Sequence, residues 1–218
     1  MSTTLPLRGR AARHALVLVA LIAVAPSLRA QAARAQAGRS APRPSTIEML
    51  SNRIGALLVQ SARAIGTVAG RPAGTAVDSG SVAVEIRRIA EAGTAREAYG
   101  LAVIVDDESL VGARQAWVDF DELDGLLSAL ESLAQADTAA SPFTDVTTVY
   151  RTRGQLVVSA FRDDAPWASV SAGGPSEVTV TFPRQRLGEL RALVQRAKQE
   201  LATIRGGTSR DAPPAPRP

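Results

Sequence analysis

Residue types that carry much of enzyme chemistry are scarce in this sequence. It has no cysteine, a single histidine, His14, and a single lysine, Lys198. His14 lies in a segment that we expect to be removed, so the remaining chain lacks the groups for Ser-His-Asp or Cys-His catalysis. Zinc and haem sites built from histidine or cysteine are excluded for the same reason. Carboxylates, arginines and hydroxyls remain, and we expect no cofactor.

Positive charge is abundant in the whole chain but not in its central part. The sequence pI is about 10.5, yet nine of the 25 basic residues lie before residue 45 or after residue 209. Residues 46–205 hold 16 basic and 20 acidic residues, which is a net charge of −4. A domain with this balance is not expected to bind the phosphates of nucleic acid.

Residues 1–32 have the organisation of a secretory signal peptide. Arginines precede the apolar run HALVLVALIAVA at 14–25, and A-x-A sequences end at Ala32 and Ala37. The run is short for crossing a bilayer, although an uncleaved anchor is the alternative. We predict a periplasmic or secreted protein with no stable membrane anchor after cleavage, since no cysteine is present for lipid attachment.

Hydrophobic periodicity predicts an α+β domain over 46–205, between a Pro/Ser-rich linker at 33–45 and a disordered Pro-rich tail at 206–218. Segment 46–69 mixes helical spacing with β-branched residues, and we assign it a helix followed by a strand. The predicted helices are 46–55, 121–135 and 184–204. The predicted strands are 57–68, 81–89, 97–106, 113–120, a hairpin over 145–161 turning at Gly154, 166–172 and 176–182.

A similar strand-to-helix sequence occurs twice. A strand ending at Phe120 enters a leucine-striped helix, and a strand ending at Phe182 enters another. With a two-residue insertion, Leu126 aligns with Leu190, 64 positions later. We therefore predict pseudo-repeat units 57–136 and 145–204, each an antiparallel sheet of about four strands followed by one helix. Two such units would share a core, because one four-stranded sheet cannot cover its apolar face.

The segment VDFDELDGLL, residues 118–127, contains Asp119, Asp121, Glu122 and Asp124. It fails the EF-hand pattern, which requires glycine at position six and glutamate at position twelve. We predict that Asp121 caps the following helix, that Glu122 and Asp124 favour the positive end of its dipole, and that Asp119 points outward from the strand. A weak divalent-cation or carboxylate site formed by these four residues is the alternative.

Two further groups are candidate ligand-binding residues. Arg151 and Arg153 are predicted to share one strand face, where they could clamp an anion or carboxylate, or form a solvated face paired with Asp163 or Asp164. Trp117 and Trp167 are candidate aromatic contacts for a glycan or protein, with core packing as the alternative.

From 57 to 204 the chain resembles a family of uncharacterised bacterial proteins, often exported, in WVDFDELDGLLSAL, VYRTRGQLVVSAF and LGELRALVQRAKQEL. The resemblance implies no activity. The predicted order of four strands and one helix, twice, also resembles the topology of the Whirly and Pur-alpha folds, which bind single-stranded nucleic acid. Topology alone does not determine function.

The sequence therefore predicts an exported, non-enzymatic module that binds an unknown protein, envelope component or small ligand, or that scaffolds an assembly. A carboxylate-dependent hydrolase using Asp119, Asp121 and Glu122 is the first alternative. Single-stranded nucleic-acid binding, by analogy of fold, is the second.

Overall fold

The computed structural model describes residues 44–108, 112–136, 146–162 and 165–208. This part of the chain has an α+β fold, with an antiparallel sheet and three α-helices. The helices are α1 Thr46–Ser51, α2 Leu123–Gln135 and α3 Leu187–Thr208. The strands are β1 Leu58–Pro72, β2 Gly80–Glu91, β3 Glu97–Asp106, β4 Arg114–Asp119, β5 Thr147–Arg151, β6 Val157–Arg162, β7 Pro166–Ala172 and β8 Val178–Pro183.

All eight strands belong to one sheet in the order β4-β3-β2-β1-β8-β7-β6-β5. Two four-stranded meanders, β1–β4 and β5–β8, therefore meet at β1 and β8. Their junction is short, because only Arg71 and Pro72 of β1 pair with β8. The two outer strands also approach each other, since the backbone N–H of Trp117 in β4 donates to the carbonyl of Gly154, between β5 and β6, at 3.0 Å.

A single large cluster of buried apolar side chains joins both meanders to α2 and α3. The strands contribute alternate residues, such as Val84 in β2 and Phe182 in β8, because successive side chains point to opposite faces. The helices contribute leucine stripes that include Leu126 and Leu190. Strand β3 lies close to β7 and β8. The two halves of the sheet thus curve around a shared apolar interior.

Helix α1 packs on the outward face of the first meander and forms a second, smaller cluster. Ile47 is fully buried there against Ile89 and Ala98, and Trp117 packs at the edge of this group. Ser45 begins the helix by accepting the backbone N–H of Glu48 at 3.3 Å through its hydroxyl. Ser45, which is the last residue of the predicted linker, is itself buried.

The elements differ from the predicted ones mainly at their ends. Helix α1 stops at Ser51 rather than near 55, and β1 continues to Pro72 rather than ending near 68. Helix α3 reaches Thr208, three residues into the segment predicted as tail. The predicted signal peptide, most of the linker and the tail from residue 209 onward lie outside the described residues. Within the part that is described, no helix is both long and apolar enough to cross a membrane.

Candidate functional site

The carboxylate of Asp119 lies beneath α1 and binds its first turn. Its Oδ1 accepts from the Ser45 hydroxyl at 2.9 Å and from the backbone N–H of Ile47 at 3.0 Å. Its Oδ2 accepts from the backbone N–H of Thr46 at 2.8 Å. Asp119 is only 4 % exposed. The prediction that its side chain simply points outward was therefore incomplete, because the outward face of β4 at this position is covered by α1.

Glu122, not Asp121, makes the capping contact at the entry to α2. One oxygen of Glu122 accepts from the backbone N–H of Asp119 at 3.3 Å, and the other accepts from that of Arg153 at 2.9 Å. A short 3-10 helix, Phe120–Glu122, precedes α2 and has Asp119 as its N-terminal cap residue. Asp121 forms an ion pair with Arg153. The prediction that Asp121 caps the helix was wrong, because the 3-10 turn moves the first helical position to Leu123.

Arg153 neutralises the acidic segment instead of lying on a strand face with Arg151. Strand β5 ends at Arg151, so Arg153 belongs to the connection that follows, where its guanidinium lies 3.2 Å from Asp119 and 3.4 Å from Glu122. Burial lowers the pKa of Arg153, but Glu122, Asp121 and Asp119 outweigh that effect and raise the pKa overall. The predicted pair of arginines on one strand face was wrong, because the turn begins before Arg153.

Tyr150 on β5 borders the same cluster. Burial raises the pKa of its phenol, and the negative charge of Glu122 raises it further. Both causes favour the neutral form of the side chain.

The contacts of Asp119 and Glu122 hold the segment 118–127 on two sides. Asp119 connects it to α1, and Glu122 connects it to the β5–β6 hairpin.

The four acidic residues do not converge on one point. Asp124 forms an ion pair with Lys198 of α3, whereas Asp119, Asp121 and Glu122 face Arg153. Throughout the described ranges, no group of three or more His, Cys, Asp or Glu side chains is placed to hold a metal ion. A depression of about 240 Å³ does lie beside Asp119 and Asp121. The carboxylate of Asp119 that borders it already accepts three hydrogen bonds.

The two tryptophans occupy different environments. Trp117 packs beside α1, as described above, while Trp167 lies on the outward face of β7. The guanidinium carbon of Arg71 stands 4.4 Å from the centroid of the Trp167 ring, which is a cation–π contact. Phe161 of β6 is paired with Trp167 across the strands. Arg71, Phe161 and Thr181 border a depression of about 470 Å³ around Trp167.

Of the four predicted ligand-binding residues, only Trp167 lies in this depression. Arg153 belongs to the acidic cluster, Arg151 is exposed at the end of β5, and Trp117 contacts α1. Phe161 was not singled out from the sequence, although it lies in the predicted hairpin, where its alternation with the buried Ala160 could have indicated an outward position. The sequence contained no comparable signal for Arg71, because the approach of Arg71 to Trp167 depends on β1 pairing with β8, more than a hundred residues apart in sequence.

No family model matches the chain. No curated protein matches its sequence significantly either. The depression around Trp167 and the cluster around Asp119 must therefore be interpreted from their own chemistry.

Proposed function

We propose that the protein is an extracytoplasmic, non-enzymatic binding module whose ligand lies on the outward face of β6, β7 and β8. The observation that carries this proposal is the depression around Trp167, in which a half-buried indole is bordered by Phe161 and capped by Arg71. Concave sites that combine aromatic surface with a few polar groups are typical of ligand binding. No charged residue occupies the outward positions of these three strands.

The state of the acidic segment favours binding over hydrolysis. Glycoside hydrolysis needs two carboxyl groups that face a substrate, one as acid and the other as base or nucleophile. Both oxygens of Asp119 and both oxygens of Glu122 accept backbone or hydroxyl hydrogen bonds from the protein itself. These carboxylates join α1, α2 and the β5–β6 hairpin. Their role is structural, and of Asp119, Asp121 and Glu122 only Asp121 has a largely exposed carboxylate.

The extracytoplasmic location rests on the sequence. The basic, apolar and small-residue regions of 1–37 are arranged as in a signal peptide. A core that is stable without any disulfide is compatible with export, since the large apolar cluster includes both meanders and both long helices. An envelope component is accordingly the expected source of the ligand.

We also propose that 57–136 and 145–204 are related units. Four strands followed by one helix occur in each, and Leu126 and Leu190 are both buried in the large cluster. The units differ in their outward faces. The first carries α1 and several ion pairs, and the second carries Trp167. In this proposal, the first unit supports the fold and the second binds the ligand.

Retention of envelope material by the immobilised protein tests the proposed function. We expect wild-type protein to retain specific material and Trp167→Ala to lose most of it. Trp117→Phe, which changes the other tryptophan, is the matched control and should retain the material as wild type does. Equal retention by wild type and Trp167→Ala would place the binding surface elsewhere, and no retention by either would contradict the proposal.

A further inference from the structure

Two rows of side chains cross the outward face of the second meander. Strand register places Ser159, Ser169, Thr181 and Arg71 in one row, across β6, β7, β8 and β1. The next row contains Phe161, Trp167 and Pro183. Because the rows are two residues apart along the strands, they are separated by about 6.8 Å. One row is polar and the other presents ring surfaces.

The hydroxyls beside Trp167 are arranged to accept hydrogen bonds from a ligand. The hydroxyl of Thr75 donates to the carbonyl of Pro72 at 3.0 Å, and that of Thr181 donates to the carbonyl of Arg71 at 3.3 Å. A hydroxyl whose proton is engaged in this way offers only its lone pairs. Asp78, which is exposed and pairs with the lining residue Arg71 at 3.3 Å, adds carboxylate acceptors next to that guanidinium. A fitting ligand would therefore supply many donors.

Charge distinguishes this face from that of the first meander. The outward side of β2 carries Glu85 and Arg87, which form an ion pair with each other. The corresponding side of β6–β8 carries hydroxyls, aromatic rings and a proline. Charged side chains are mostly found at exposed positions of proteins, and the outward positions of β6, β7 and β8 hold none of them. Among the described residues that line the depression around Trp167, Arg71 is the only cation. Asp78 partly neutralises its charge.

We infer that this surface binds a saccharide. The inference rests on the proposed function and names the chemical class of its ligand. Sugar rings combine hydroxyl donors with flat, weakly polar C–H faces, which match the row of acceptors and the row containing Trp167. One ring lies against Phe161 and the part of Trp167 that Arg71 does not cover, and its hydroxyls donate to Thr75, Thr181 and Asp78. Arg71 donates to a ring oxygen or to a carboxylate of the sugar. Nucleic acid fits less well, since it needs several cations along its phosphates.

Titration of the purified protein with defined oligosaccharides tests this inference. The probes are chitohexaose, cellohexaose and maltohexaose, which are neutral, and tetragalacturonate, which carries carboxylates. We expect at least one of them to change the emission of Trp167 in a Trp117→Phe background. Stronger binding of tetragalacturonate would assign Arg71 to a sugar carboxylate, and stronger binding of a neutral probe would assign Arg71 to a hydroxyl or ring oxygen.

Single substitutions in each row of side chains test whether both rows contribute to binding. Calorimetric affinity for the probe that binds should fall at least tenfold in Trp167→Ala and about five- to tenfold in Thr181→Val, which keeps the shape of threonine but removes its hydroxyl. Thr67→Val, on an exposed position of β1, is the control and should bind as wild type does. Undiminished affinity in Trp167→Ala, or failure of all four probes at millimolar concentration, would overturn the inference. Preferred binding of oligothymidylate would also overturn it.

A chemical treatment separates this inference from the proposed function. Periodate cleaves the C2–C3 diols of 1,4-linked hexoses and uronic acids, lysozyme and chitinase hydrolyse N-acetylhexosamine chains, which resist periodate, and protease removes proteins. If periodate or these glycosidases abolish the Trp167-dependent retention of envelope material, the saccharide class is supported. If protease abolishes retention and neither periodate nor the glycosidases do, the partner is a protein, so the ligand class is wrong while the binding function stands.

Discussion

Oδ1 of Asp119 accepts the hydroxyl proton of Ser45 at 2.9 Å, across 74 positions of the sequence. This contact fixes the first turn of α1 to the strand that leads into α2. Both residues are buried, and Ile47, two positions after Ser45, is fully buried as well. Asp119 is therefore an attachment point for α1, whereas Asp121 and Glu122 face Arg153 and Asp124 pairs with Lys198.

Replacement of Asp119 tests this attachment. Asp119→Ala leaves the Ser45 hydroxyl and two backbone N–H groups without their acceptor, and we expect it to lower the free energy of unfolding by about 1.5–3 kcal/mol. Asp121→Asn is the matched control, because Asp121 is 71 % exposed at its side chain and contributes only a surface ion pair. It should change stability by no more than about 1 kcal/mol. Urea denaturation measures both, and a larger loss in the control would contradict the assignment.

The shared core predicts cooperative unfolding. Leu126 on α2 and Leu190 on α3 are at most 2 % exposed and belong to the same cluster. Each replacement by alanine should cost about 2–5 kcal/mol through lost burial and a residual cavity. Ile54→Ala, at a position 98 % exposed, should cost little. Calorimetry should show one transition for every variant, whereas two separate transitions would show that the meanders unfold independently.

The closure of the sheet between its outer strands can be tested at Gly154. A Cβ atom at this position would lie 2.1 Å from the carbonyl oxygen of Trp117, so Gly154→Ala must push β4 and the β5–β6 connection apart. We expect a clear loss of thermal stability. Gly188→Ala is the control, since a Cβ there has nothing within 4 Å and alanine favours a helix by about 0.5–1 kcal/mol. A neutral Gly154→Ala variant would show that the bridge is dispensable.

The pKa of Tyr150 provides a test of the electrostatics. Because burial and Glu122 both raise the pKa of the phenol, we expect it to ionise above the ordinary value of 10.0. The folded state favours the neutral phenol, so its contribution to stability is present below the unfolded pKa and is lost as the pH rises through the folded pKa. Ultraviolet titration in a Tyr99→Phe background isolates Tyr150. Glu122→Gln should lower the measured pKa, and ionisation at or below 10 would contradict the assigned environment.

Export can be tested directly in the host. We expect N-terminal sequencing of the exported protein to begin at Ala33 or Gly38, after one of the A-x-A sequences. Both cleavage sites leave Ser45 and α1 intact. Recovery of the full-length chain from the cytosol would contradict the prediction.

Local patterns in the sequence determined most of the elements. Strand β3 has the predicted bounds of 97–106, and β7 has the predicted bounds of 166–172. The leucine stripe of α2 is buried as its spacing indicated. These features depend on neighbours two to four positions apart, because side chains alternate along a strand and recur each turn along a helix. That is why the α+β class could be predicted without knowledge of distant contacts.

The roles of individual side chains were decided by contacts between distant segments. Asp119 is buried because α1 lies over β4, and Arg153 is drawn to the acidic segment because the β5–β6 connection meets β4 at Gly154. Arg71 reaches Trp167 only because β1 pairs with β8. The hydrophobic periodicity of a segment does not show which distant segment it contacts, since each such contact depends on the path of the whole chain. The sequence alone thus determined which segments form strands and helices, and the tertiary structure decided which residues form the candidate binding face.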